Sequence, residues 1–295
     1  MEKIEKTTSV KKIAILVLII GISFCVVKSG LCSEDFNMEA EHQTEIEMLP
    51  LPPDDYAELE AKIQQMSKEL THKNMEAAKA SQGYVKNPGI IKGKILVTTA
   101  HSDISERHSG DTIVYIETVN DNNYEPIQKM SAVLAEHIAF TKERELSAES
   151  PIMDQWSVEF IPHILPVLKG SIIDFPNTDT VRHNVYSPVP IPGTRMMLSL
   201  GTYDPEVIKT VRLDNAGEIP LRCNVHQEMS AFIVVLGNPY FTLTNKKGEF
   251  IINNIPSGEY TLKTWHEKFK SVSIEVTVAP SQTVEVELPS ISEKR

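Results

Sequence analysis

Cysteine is scarce in this chain. Only three occur in 295 residues, at positions 25, 32 and 223. Two of them lie in an N-terminal stretch with the marks of an export signal, so the exported chain keeps Cys223 alone. That excludes an internal disulfide framework. Basic charge is also short: 29 Lys and Arg face 40 Asp and Glu, for a net charge of −11. Nucleic acid is therefore not an expected partner. Long hydrophobic runs are missing as well. The longest apolar stretch, Ile13 to Val27, falls short of the ~20 residues that a membrane span requires. No carboxylate pair shows a spacing that implies glycosidase or protease chemistry.

The N-terminus carries Lys11 and Lys12, then that short apolar run, then small residues at Ser29, Gly30 and Ser33. This is the charged, apolar and small-residue order of a secretory signal. We read residues 1–33 as a signal peptide cleaved after Ser33, with an uncleaved anchor as the alternative. A lipoprotein is disfavoured, because Leu31 and Phe24 precede the two leader cysteines. Loss of the leader removes five Lys and two Glu and takes the charge from −11 to −14. A lone thiol in an oxidising compartment calls for burial or a bound partner.

Residues 34–55 contain eight acids and no Lys or Arg, and read as an acidic disordered linker. A helical segment follows over 56–83. Leu59, Ile63, Met66 and Leu70 recur at helical spacing, and Asp54 or Asp55 could cap its start. Two heptads are too few for a coiled coil, so the helix is expected to fold onto the domain. From Gly89 the texture is that of strands. Segments 90–97 and 111–119 are expected to open a β-sandwich spanning 84–237. A helical pattern over 126–148 (Ile127, Met130, Leu134, Ile138) is expected to interrupt it as an insertion. Short strands resume at Trp156 and continue to Leu236. Ile219, Leu221 and Cys223 alternate along one of them, which points the thiol toward the core. Ser230 to Leu236 is almost continuously apolar, as a central strand requires. After Gly237-Asn238-Pro239 the pattern resets. Five strands with strict alternation predict a second, smaller sandwich over 238–290.

The chemistry gathers in Cys223-Asn224-Val225-His226-Gln227-Glu228-Met229. A thiolate, an imidazole and a thioether at three-residue steps can meet one metal from a single tight loop. Upstream, His183 in Arg182-His183-Asn184-Val185 supplies a second imidazole from another strand. Two His, one Cys and one weak Met are the ligand set of a blue-copper electron-transfer site, and the soft donors suit Cu(I) as the imidazoles suit Cu(II). Cys223 admits three other readings. It could be an inert core thiol. It could be half of a catalytic Cys–His pair. Against that pair, no Gly-rich oxyanion turn or helix N-terminus follows Cys223, and a strand end is a poor place to lower a thiol pKa. Zinc could take the same ligands, but structural zinc seldom uses a thioether. His163 and His266 are expected to be hydrogen-bonded structural residues rather than further ligands.

Residues 156–236, with His183-Asn184 and the Cys223–Met229 loop, resemble the cupredoxins, the plastocyanin/amicyanin-like blue copper proteins. The resemblance implies an all-β, Greek-key sandwich with one type 1 copper held by His183, Cys223, His226 and Met229. It also implies that Asn184 hydrogen-bonds around the Cys loop. Gln227-Glu228 departs from the Pro-containing short loop of the family. Pro239 to Leu288 resembles the carboxypeptidase regulatory-like (transthyretin-like) module in Gly248-Glu249-Phe250, Ile255-Pro256-Ser257-Gly258-Glu259-Tyr260 and Trp265-His266-Glu267. That module is regulatory by name and implies no peptidase activity. The pairing resembles bacterial methylamine-utilisation or plastocyanin-like periplasmic proteins. What the resemblance implies is an exported electron carrier, not an enzyme, serving a c-type cytochrome or a periplasmic dehydrogenase. Two alternatives remain open here: a copper-handling protein with no redox partner, and a metal-free β-sandwich that binds other proteins.

Overall fold

The computed structural model describes residues 53–98, 111–119 and 150–292. The leader, the acidic segment through residue 52 and the 126–148 insertion lie outside the described residues, as do the side chains of Asp54 and Asp55. The chain forms two compact units, Met1–Ile63 and Gln64–Arg295. Of the first, only the start of a helix is described.

That helix, α1, spans Pro53–Ala80. Leu59, Ile63, Met66 and Leu70 remain half-buried. Its last turns do the packing: Asn74, Met75 and Ala78 are buried. The Asn74 side chain donates to the Ile152 carbonyl at 3.0 Å and accepts from the Ile152 N–H at 2.9 Å. One amide thus satisfies both main-chain groups of a residue at a sheet margin, which would otherwise be buried unpaired. The expected docking is seen, through residues nearer the C-terminus of α1 than the apolar stripe suggested.

The strands are β1 (Gly89–Lys94), β2 (Val97–Thr98) and β3 (Ile113–Ile116), then β4 (Asp154–Trp156), β5 (Glu159–Ile161), β6 (Ile164–Leu168) and β7 (Ser171–Pro176). Next come β8 (His183–Pro190), β9 (Met197–Tyr203), β10 (Ile208–Leu213), β11 (Gly217–Arg222) and β12 (Ser230–Leu236). The last are β13 (Phe241–Leu243), β14 (Glu249–Ile255), β15 (Gly258–Trp265), β16 (Ser273–Val278), β17 (Thr283–Glu287) and β18 (Ile291–Ser292). The all-β expectation holds.

The first sandwich is built from β4 to β12. Its main sheet runs β6-β12-β11-β8-β9, and β10-β7 forms the facing pair. Ile173 and Phe175 of β7 and Leu213 of β10 meet Val185, Ile219 and Ile233 of the main sheet in one apolar cluster. As its composition required, β12 is central, between β6 and β11. Ile219 and Leu221 are fully buried and Cys223 is 2% exposed, so the predicted alternation is met. In β11, Pro220 has no N–H to donate to a ladder. Strand β8 joins β11 beyond it, at Arg222↔Tyr186. That single antiparallel pair sets Asn184 beside Cys223.

The second sandwich corrects the expected boundary. Strands β1 and β3 were grouped by chain order with the first sandwich. In the structure β1 pairs with β14 and β17, and β3 pairs with β13 and β15. The module therefore draws on two chain segments, with the first sandwich inserted between them. Its core joins Ile91, Val114 and Ile116 to Phe250, Leu262 and Val276. Gly93 shows why β1 fits there: a Cβ at that position would lie 2.3 Å from the Val286 carbonyl oxygen and 2.8 Å from the Phe250 ring. Alternation within a strand identifies its apolar face but not the sheet that will receive it, which is why chain order misassigned these two strands. A third cluster, with Ile113, Ile164, Val234 and Phe241 beside Met75 of α1, binds helix and both sandwiches together.

Candidate metal centre

The site forms where β8 begins and β11 ends. Antiparallel pairing places His183, the first residue of β8, beside the residue that follows β11. The chain then turns through 223–229 before β12, and the turn is closed by Met229 N–H donating to the His226 carbonyl at 3.2 Å. His183, Cys223 and Met229 are at most 2% exposed. His226 is half-buried, and Val225, Gln227 and Glu228 around it are exposed.

The donor atoms converge. His183 Nδ1 and His226 Nδ1 are 3.1 Å apart, and His226 Nδ1 lies 4.0 Å from Cys223 Sγ. One ligand atom from each of His183, Cys223 and His226 falls within a 4.8 Å span. Three of the four expected ligands are thus brought together. Met229 is buried in the same apolar cluster as Cys223. Asn184 acts through its main chain: its N–H donates to Cys223 Sγ at 3.4 Å. Its side-chain Oδ1 is buried without a hydrogen-bond partner among the described residues.

Sequence reasoning missed Asp179. Its Oδ2 lies 2.9 Å from His183 Nε2. Val158 N–H donates to Oδ2 at 2.9 Å, and Thr180 N–H to Oδ1 at 2.7 Å. A carboxylate gripped by main-chain donors thereby fixes the proton on Nε2 and leaves Nδ1 facing Cys223 and His226. This is the outer-sphere support that metal-binding imidazoles usually carry. The signal was an Asp four residues before a His, too common a pattern to stand out.

The electrostatics favour an ionised sulfur. Burial alone would push the Cys223 thiol up. The His183 hydrogen bond and the main-chain N–H groups of Asn184, His226 and Val225 outweigh it and hold the thiol at about 6. Burial would likewise press His183 toward its neutral form, but Asp179 and the sulfur raise it to about 9. Burial would raise Asp179; His183 and the N–H groups of Val158 and Thr180 bring it below the usual carboxylate range. The expectation that a strand end is a poor place to lower a thiol pKa is therefore corrected. The relevant donors come from a neighbouring strand and from the loop itself, and strand position alone does not reveal them. A soft cation would satisfy both Nδ1 lone pairs and the thiolate at once, so the donor set fits copper. It fits a nucleophilic Cys–His pair poorly, because the Cys223 sulfur is buried.

His163 and His266 stand apart from this cluster. His163 bonds Glu267 and the Ser230 carbonyl, and His266 Nδ1 accepts from Lys268 N–H at 3.0 Å. Both are hydrogen-bonded, as expected.

No family model matches this chain, and no curated protein matches it. Among solved structures it is similar to a reduced tryptophan-to-tyrosine mutant of amicyanin, with 21% identity over 31% of this chain and 86% of that one, at a TM-score of 0.29. A Cu(I) form of a methionine-to-alanine amicyanin mutant gives the same values. The reduced state of a proline-to-phenylalanine amicyanin mutant gives 19% identity over 33% and 94%, at a TM-score of 0.31.

Proposed function

We propose that this protein is an exported type 1 copper protein that carries single electrons. His183, Cys223 and His226 would hold the ion, with Met229 as the weak thioether ligand. The observation that carries the reading is the convergence of two imidazole nitrogens and one ionisable thiol in a buried pocket. When bound, copper supplies a one-electron couple between Cu(II) and Cu(I). The residues supply the rest. Packed strands hold His183 and Cys223 in place, so little rearrangement accompanies a change of charge. Asp179 keeps the proton on His183 Nε2. The apolar core beside Cys223 and Met229 keeps water from the sulfurs. His226, the half-buried member, would offer the electron a route to a partner.

The net charge of −11 supports a partner with a basic docking face, such as a c-type cytochrome or a periplasmic dehydrogenase. Among the described residues no helix is long and apolar enough to cross a membrane. Purified protein given Cu(II) is expected to turn intensely blue, and Cys223→Ser to stay colourless. A wild-type protein that binds no copper would overturn the reading. Stopped-flow mixing with a c-type cytochrome separates a carrier, which exchanges electrons within milliseconds to seconds, from a protein that only stores the metal.

A further inference from the structure

His163 sits outside the metal cluster, yet it touches β12, the strand that begins immediately after Met229. Its Nδ1 lies 2.9 Å from the carbonyl oxygen of Ser230, the residue immediately after Met229. Its Nε2 lies 3.0 Å from Glu267 Oε2, in the second sandwich. Both partners are acceptors only. Both ring nitrogens must therefore donate, so the ring is an imidazolium. The same residue also holds β12 by its main chain, since Phe232 N–H donates to the His163 carbonyl at 2.9 Å. The ring meets Phe232 edge-on at 6.0 Å. Phe232 in turn packs against Trp265 at 5.5 Å, and Trp265 Nε1 donates to Glu218 of β11 at 2.6 Å. Trp265 of the second sandwich thus touches β11 and β12, which flank the ligand loop, and Glu267 reaches β12 through His163.

We infer that His163 is a positioning residue for the metal loop, and that the second sandwich, through Glu267, keeps it charged so that it can hold the Ser230 carbonyl and with it Met229. The second sandwich is then a support of the metal centre rather than an appended module. The charged groups facing the ring belong to that sandwich: Glu267, whose other oxygen is 3.3 Å from Lys268 Nζ, and Asp111, which has Lys246 near it. From the first sandwich the ring meets the Ser230 carbonyl and Phe232. If the ring loses a proton, one of its two bonds must be given up.

The inference rests on the copper reading only for its metal-loaded readout, and the metal-free protein tests it separately. Full-length His163→Gln and Glu267→Gln are compared with Lys268→Gln, which leaves both His163 bonds in place. In metal-free protein with ¹³C-methyl methionine, the Met229 signal is expected to shift and broaden in the first two variants and to stay put in the third. In copper-loaded protein, the ratio of the two thiolate charge-transfer bands is expected to change in the same two. Copper release should quicken by about tenfold, the low end for outer-sphere changes, because the His163 side chain is 44% exposed. Unchanged Met229 signals in folded His163→Gln and Glu267→Gln would overturn the inference even if the protein is blue. A wild-type protein that takes up no copper overturns the function proposed above, while the methyl spectrum still decides this one.

Discussion

The two sandwiches use their interiors differently. The first buries Asp154, Gln155, Asp174, Asn177, Asp179, His183 and Asn184, together with its apolar cluster. The second buries Ile, Val, Leu and Phe, and its polar interior is limited mainly to Thr112, Thr244, Thr264, Asn238 and His266. Buried polar groups cost stability unless they are hydrogen-bonded. In the first sandwich much of that network leads to one place. Gln155 and Asn177 hold the Asp179 segment, and Asp179 holds His183. The first sandwich therefore holds the proposed metal centre. The second is a plainer β core whose distinctive act is to reach across with Trp265 and Glu267.

That contrast can be broken or sharpened by four measurements. The largest effect is expected from Cys223→Ser, which should remove the visible charge-transfer band altogether while leaving the amide spectrum of residues 239–292 unchanged. Any surviving blue colour would show that another donor set holds the metal. Next come the cores. Ile219→Ala and Leu262→Ala each truncate a fully buried side chain and should cost about 2–5 kcal/mol in urea unfolding. Only Ile219→Ala should also speed copper release, because Ile219 shares the β11 face with Cys223. Equal effects on release from both would mean that the metal centre depends on the two cores alike.

Asp179→Asn comes third. Copper affinity should fall about 10–100-fold with the fold intact, because the amide brings no negative charge to His183 and can offer a donor as readily as an acceptor, so it no longer fixes the tautomer. An unchanged affinity would show that β-strand packing alone orients the ring. The smallest effect is on pH. Glu267 is held at about 2 by its bond to His163, so its contribution to stability is present above the ordinary carboxylate range and is lost as pH falls toward 2. The same bond raises His163. Its contribution is complete below about 6.5 and is lost as pH rises through the raised value. Wild-type stability should thus exceed that of Glu267→Gln by a modest margin in the window between those limits, the pair being partly exposed. The two curves should meet at both ends. Parallel curves across the whole range would rule out the charged pair.

Much of the centre could be read from the chain because its spacing is local. Cys223, His226 and Met229 lie in one loop, and alternation through Ile219 and Leu221 turned the thiol inward. His183 was identified as a second imidazole, but its nearness to Cys223 depends on the register Arg222↔Tyr186. The lowered Cys223 thiol was hidden for the same reason: its donors are His183 from another strand and main-chain groups, which nearly every residue type carries.

The sequence by itself determined the all-β class, the central place of β12, the ligand loop and the docking of a helix. Each depends on periodicity or on residue types a few positions apart. Only the tertiary structure decided that β1 and β3 belong to the second sandwich, that Asp179 stands behind His183, and that Glu267 reaches His163 across 104 positions. Those are pairings between distant segments. Strand periodicity specifies a face to bury, and only the folded chain selects the partner that buries it.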